Sequence, residues 1–298
     1  MRRTGAGGTG RIFNYSIILF FLSFFAASSY AQNLESLEQT IRSGDAEQKR
    51  SALHEIKNVA TEQASRIAVP ALGDKDTVVR ATAASAVIHL PTAEAAQVLL
   101  PLLGDKQEFV RREAALALGE VGSRSATSAL LRTAQSDKVV EVRDAAVVAL
   151  GQIGDSSSLS ALTAILRSKP KDDSEFLRRS AARAIGQVAR FEQFGSTRTV
   201  TPENFLPAKY KDKNNPDFKD LTVAGPGSSQ TSESFLQALS VLITVLNSSS
   251  ESYDTRREAA FALGMIGSAS AKSVLTKFAT DSDPYLAEIC KEALIKLP

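Results

Sequence analysis

The stretch DKQEFVRREAALALG, residues 105–119, returns as DKVVEVRDAAVVALG at 137–151, as LRRSAARAIG at 177–186 and as DTRREAAFALG at 254–264. Residues 74–87, DKDTVVRATAASAV, are the same unit without its glycine. The aligned arginines Arg80, Arg111, Arg143, Arg178 and Arg256 lie 31, 32, 35 and 78 residues apart, a period near 31. Counting back, Arg50 takes the same place thirty residues before Arg80. Self-similarity at such a period marks stacked supersecondary units, none of which buries its apolar face alone.

Each unit reads as two antiparallel helices. In the first, Val110, Ala114, Ala117, Leu118 and Val121 recur at helical spacing and form one apolar stripe. Gly122, Gly154 and Gly267 follow where a helix C-terminus wants a left-handed residue. Gly119, Gly151, Gly186 and Gly264 fall inside the helix. A glycine there costs about 1 kcal/mol against alanine, so its recurrence predicts close helix–helix approach. The second helix opens with Ser or Thr and runs through Leu99-Leu100, Leu130-Leu131 and Ile165-Leu166. Pro70 and Pro101 share a register and predict a kink in two successive second helices. Asp283-Pro284 is an N-cap and first-turn pair for a terminal helix.

The result is six helix pairs, flanked by single helices at about 33–43 and 284–297 that close the ends. With aromatic content of 6% and no Trp, the apolar mass comes from Ala, Leu, Val and Ile, which suits closely packed helices. The fold class is all-α.

The pattern D-x-x-x-x-V-R-x-x-A-A-x-A-L-G, with a short step to a second glycine, resembles the HEAT-like repeats first described in phycobilin lyase subunits. The likeness covers about 46–190 and 232–298. It implies a right-handed α-solenoid whose second helices line the concave surface, where partners commonly lie. It also implies that the paired positions Asp74/Arg80, Asp105/Arg111 and Asp137/Arg143 bridge neighbouring repeats as a structural ladder. Recurrence in every good repeat, instead of at one place, supports that reading.

Two chemistries attach to the family. One relative is a di-iron hydroxylase that binds metal through several His-Glu pairs, and this chain has a single such pair, His54-Glu55. His54 and His89 are the only histidines, too few for convergent ligation. In the repeat alignment His54 falls beside Ala84 and Ala115, a packed position, and His89 at a solvated helix end. The other chemistry is phycobilin attachment, which belongs to the cytosolic side of photosynthetic cells and argues against an exported chain. Neither a nucleophile elbow nor a phosphate-cradling glycine loop is present in the sequence. No catalytic residue, metal ligand or cofactor is assigned.

The first thirty-one residues read as a signal peptide: Arg2, Arg3 and Arg11, then the apolar run Ile17–Ala27, then Ser29-Tyr30-Ala31 before Gln32. Cleavage after Ala31 is expected, giving an exported protein, periplasmic or secreted, without stable membrane insertion. The alternative is an uncleaved anchor, but the run is shorter than the roughly 20 residues a spanning helix needs. The whole chain has 35 Lys+Arg against 33 Asp+Glu, so removing the three signal arginines leaves 32 against 33. A near-neutral mature chain has no overall attraction for nucleic acid. Cys290 stands alone, so no internal disulfide forms.

Residues 191–231 break the period, splitting the solenoid into 32–190 and 232–298 between the two helices of the fifth pair. The segment carries Pro202, Pro207, Pro216 and Pro226 and is dense in aromatics: Phe191, Phe194, Phe205, Tyr210 and Phe218. Exposed, these rings would suit a partner site; folded back, they would pin the loop to the solenoid. On the second helices the expected outward positions include Gln97, Ser128, Ser160 and Ser273, small and uncharged. Arg132 and Lys277 share a register there and would add positive charge. The candidate partner-binding residues are therefore Phe194, Phe205, Tyr210, Phe218, Gln97, Arg132 and Lys277. The function expected is a monomeric, non-catalytic scaffold that holds a protein partner on its concave face, its loop, or both. The alternative is an accessory subunit of an exported enzyme, and a less favoured one is a lyase-like or metal-dependent enzyme.

Overall fold

The computed structural model describes residues 32–169, 174–195, 200–210 and 233–298, and the regular structure among them is helical throughout. Helix α1 covers 32–43. Six pairs follow: α2 (Ala46–Val59) with α3 (Glu62–Ala68), α4 (Thr77–Ala86) with α5 (Thr92–Leu99), α6 (Glu108–Val121) with α7 (Thr127–Ser136), α8 (Val140–Ile153) with α9 (Leu159–Arg167), α10 (Glu175–Phe194) with α11 (Leu236–Asn247), and α12 (Tyr253–Ile266) with α13 (Lys272–Phe278). Helix α14 (Pro284–Ile295) stands last. Each first helix packs on the next, α2 on α4 and so on to α12 on α14, while each second helix from α5 onward lies mainly against the first helix of the following pair. One apolar core runs the length of the stack.

The helix starts are written in short polar side chains. Asp76 accepts the N–H groups of Val78 and Val79, and Asp283 that of Leu286. Asp45 and Gln48 form a reciprocal capping box. Helices α6 and α8 lack a side-chain cap of their own. Instead Asp105 and Asp137, in the preceding loop, accept the N–H groups of Gln107 and Val139.

The helix ends follow the glycines. Gly122, Gly154 and Gly267 sit at φ 70°, 69° and 68° and close 14-residue helices. Three residues after Gly186, where that cap belongs, stands Ala189. Helix α10 therefore runs on for 20 residues and stops only at Gly195, φ 62°. The regular part of the solenoid thus extends past 190. The internal glycines mark close approach: a Cβ on Gly119 would lie 2.6 Å from Ala149 Cα, and one on Gly151 2.9 Å from Ala184 Cα.

Three expectations need correction. Pro70 and Pro101 do not kink a continuing α-helix. Helices α3 and α5 end before them, and the chain tightens into 3-10 turns, Val69–Gly73 and Leu100–Gly104. Proline cannot donate to the α-helical ladder, and the narrower turn dispenses with that bond. Arg50 is not the repeat arginine of α2. Counting four residues from the N-caps Asp45 and Asp76 places Lys49 opposite Arg80, and Lys49 makes the corresponding ion pair. The same one-residue slip misplaced His54, which is exposed and not packed.

Candidate functional site

The ladder comes first because it sets the spacing of everything else. Arg80 Nε and Nη2 donate to Asp105 of the next repeat at 2.9 and 3.1 Å, while its Nη1 donates to the Asp74 carbonyl of its own loop at 2.8 Å. Arg111 repeats this on Asp137 (2.7 and 2.9 Å) and the Asp105 carbonyl (2.9 Å). Lys49 pairs with Asp74 at 2.7 Å. Arg143 donates to the Asp137 carbonyl. Farther on, Arg178 pairs with Glu251, and Arg256 with Asp281 at 3.4 Å. Burial alone would push the Asp105 and Asp137 carboxyls up. Hydrogen bonds from Arg80 and Arg111, and from the backbone N–H groups two residues on, outweigh it and hold both below the usual carboxylate range. These groups are consumed by one another.

The inserted segment does something different from what an exposed recognition loop would do. Residues 200–210 form a strap across the first helices α10, α12 and α14. Gln187 Nε2 donates to the Val200 carbonyl. Thr201 and Asn204 cap a 3-10 turn, Pro202–Phe205, and a second turn runs Ala208–Tyr210. Phe205 is 3% exposed. Its ring meets Phe261 edge-on at 5.0 Å, carries the Lys296 ammonium 5.0 Å from its centroid, and fills the space a Cβ on Gly264 would enter. Leu206 is buried, and Tyr210 lies 5.3 Å from Tyr285. Phe205 is therefore a core residue and not a partner contact, since first helices lined with Gly and Ala leave a furrow that its ring fills. Tyr210 is half-buried against the same core. Phe194 is exposed at the end of α10, and Phe218 lies outside the described residues. Phe191 packs over Gly154, with the Arg124 guanidinium on its ring.

On the second helices Gln97, Arg132 and Lys277 are exposed. They do not converge. Arg132 on α7 and Lys277 on α13 are three helix steps apart, roughly 25–30 Å at 8–10 Å per step. Lys277 is tied to Asn247 Oδ1 at 2.9 Å.

What gathers instead is the outer face of the first helices, at their second, fifth, sixth and ninth positions. Val78, Phe109, Phe176 and Tyr285 occupy the second position and are exposed, Phe176 by 62%. Arginines lie over three of these rings, Arg112 on Phe109 (5.0 Å), Arg179 on Phe176 (4.8 Å) and Arg257 on Tyr285 (5.1 Å). Between α6 and α8 the face opens into a groove of about 400 Å³, lined by Leu116, Val140, Ala145 and Val148, with Phe176 at one end. Arg112, Glu141 and Asp144 supply its polar rim. Burial pushes the Asp144 carboxyl above its ordinary value, although Ser180 and nearby arginines oppose the shift. Sequence reasoning missed this face because its residues vary between repeats. The usable signal was large apolar residues at positions that the helical stripe assigns to solvent.

Among the described residues no group of three or more His, Cys, Asp or Glu is arranged to hold a metal ion. No described helix is long and apolar enough to cross a membrane. Cys290 is buried in α14, and burial pushes its thiol up to about 12.

An all-α stack with a bonded ladder and an open outer groove defines a repeat scaffold. HEAT repeats match residues 34–117 and 102–186, more than half of the chain, and the PBS lyase HEAT-like repeat matches 255–281. The chain belongs to the HEAT-repeat family. Similar solved structures include the complex of CpcE and CpcF of phycocyanin lyase from Nostoc sp. PCC7120, at 19% identity and TM-score 0.46, covering 87% of this chain and 86% of that one. Human deoxyhypusine hydroxylase in complex with glycerol is similar at 19% identity and TM-score 0.39, covering 90% and 97%. An engineered protein is similar at 20% identity and TM-score 0.38, covering 88% and 94%. No match is found among curated proteins.

Proposed function

We propose that the protein is an exported, non-catalytic scaffold that holds a short segment of a protein partner in the groove between α6 and α8. One observation carries this reading. The chain itself lays a short segment of two 3-10 turns, with Phe205 and Leu206 inward, along the equivalent furrow between α12 and α14, and leaves the α6–α8 furrow open. A surface of Leu116, Val148 and Phe176 rimmed by charges is a ready site for such a segment. Export rests on the signal-like order of residues 1–31.

A photo-cross-linking residue placed at Val148, and in a separate variant at Ser128 on the second-helix face, tests the groove in the host's exported fraction. The expected outcome is one protein adduct at 148 and none at 128; the reverse pattern would move binding to the second helices. N-terminal sequencing of the exported protein should begin at Gln32. Retention of a version lacking residues 2–31 inside the cell completes the export test.

A further inference from the structure

Beneath the strap lies a second recess, separate from the α6–α8 groove. It is a cleft of about 250 Å³ between α10, α12 and residues 202–210, smaller than the roughly 300–1,000 Å³ of drug-sized pockets. Its floor holds Glu258, whose side chain is 3% exposed. Glu258 Oε1 accepts from Arg183, at 2.9 Å from Nε and more closely from Nη2. Oε2 is buried and accepts no hydrogen bond from the protein. A buried carboxylate oxygen left this way is costly, and a donor entering the cleft would relieve it.

The opposite requirement stands beside it. Arg179 lies over the Phe176 ring and makes one long 3.3 Å contact to Asp254, and the Arg183 side chain is 35% exposed. Both guanidinium groups line the cleft and offer donors to an incoming oxygen. The charges lining the recess balance: Arg179, Arg183 and Arg257 against Glu203, Asp254 and Glu258, three against three. A polyanion or a polycation has no net attraction there, whereas a dipolar group does. Tyr210 and Tyr285 form an apolar wall.

We infer that this cleft is a binding site for the main-chain end of an α-amino acid, free or at a peptide terminus, independent of the proposed groove. The amino group donates to Glu258 Oε2, the carboxylate or carbonyl oxygen accepts from Arg179 and Arg183, and the side chain lies against Tyr210 and Tyr285. Burial raises the Glu258 carboxyl to about 7 against the opposing pull of Arg183, with Glu203 adding to the rise and Arg179 opposing it. Binding through the ionised carboxylate therefore strengthens as pH rises through that value and releases a proton.

The test is calorimetric titration of the full protein at pH 8 with free L-amino acids, their N-acetyl amides and short dipeptides, with propylamine and propionate as single-charge controls. At least one zwitterion should bind, more weakly at pH 6 than at pH 8. Glu258→Gln turns the free acceptor into a donor while keeping an oxygen for Arg183. It should weaken binding about tenfold or more, the loss of one charge-assisted hydrogen bond. Arg179→Ala should do the same through the oxygen end. Binding of dipeptides but not free amino acids identifies a peptide terminus as the source; the converse identifies the free metabolite. Equal binding of propylamine, an unchanged Glu258→Gln affinity in a normally folded variant, or no binding of any probe would overturn the assignment. Leu116→Ala, in the groove and away from the cleft lining, should leave this binding unchanged, which separates its failure from failure of the groove.

Discussion

The pentapeptide RREAA occurs twice in the same register, at 111–115 in α6 and at 256–260 in α12, and the two copies behave differently. In α6 the face is open. Arg112 lies over Phe109 and pairs with its neighbour Glu113, whose side chain is 23% exposed. In α12 the strap lies overhead. Arg257 reaches Asp283 on the next helix, and Glu258 is sealed to 3% exposure against Arg183. Identical local sequence gives a solvated ion pair in one half and a buried carboxyl in the other. The difference lies in what covers the helix, and the covering segment is encoded some fifty residues away.

The largest way to break this comparison is to release the cover. Phe205→Ala removes a buried ring from the Phe261–Gly264 furrow and should cost about 3–5 kcal/mol. Denaturant unfolding should register the loss, and proteolysis should begin near residues 200–210. A change under 1 kcal/mol would mean that the strap is not part of the core. The next effect lies in the ladder. Arg111→Ala leaves Asp137 buried without its partner and should cost about 3 kcal/mol. Arg112→Ala, one residue on and solvated, should cost about 0.5 kcal/mol.

Acidity separates the two halves again. The ladder carboxyls Asp105 and Asp137 are depressed in the folded chain. Their stabilisation is complete above the ordinary value of 3.8 and is lost as pH falls through the lower folded values. Glu258 acts in the opposite sense. Its folded value of about 7 stands above the ordinary 4.5, so the folded state retains a proton that the unfolded chain sheds. Stability should decline as pH rises from 4.5 to 7, by about 2–3 kcal/mol at 1.36 kcal/mol per unit, and then level off. Glu258→Gln should flatten this limb and leave the acid limb in place. If melting curves of wild type and variant run parallel from pH 5 to 8, Glu258 is ionised throughout and the strap does not seal it.

The repeats were legible because each unit needs the same few residues: a loop Asp, a helix Arg, an Ala-Leu stripe and glycines where helices touch or end. The long α10 was also written in the sequence, in Ala189 where its sisters carry glycine. The fate of the insertion was not. Phe205 and Phe194 look alike in a linear reading, and only the furrow left by Gly264 and Ala293 distinguishes a core ring from an exposed one. The cleft was still less visible. Arg183 is an ordinary surface residue until the strap and Glu258 are placed beside it.

The smallest effect on stability carries the most functional weight. Phe176 is 62% exposed and touches mainly the Arg179 guanidinium, so Phe176→Ala should change stability by no more than about 0.5 kcal/mol. The same change should abolish the cross-link at residue 148, because it removes one end wall of the groove. Phe109→Ala, two turns along α6 from Leu116 and outside the groove lining, should weaken that cross-link less. Unfolding curves and adduct yields measured on the two variants together decide the matter. A lost adduct with an intact melting curve assigns the open face to partner binding. An intact adduct in the Phe176 variant would mean that the aromatic row is only the residue of a repeat pattern, and that the open half of the face is open for no partner.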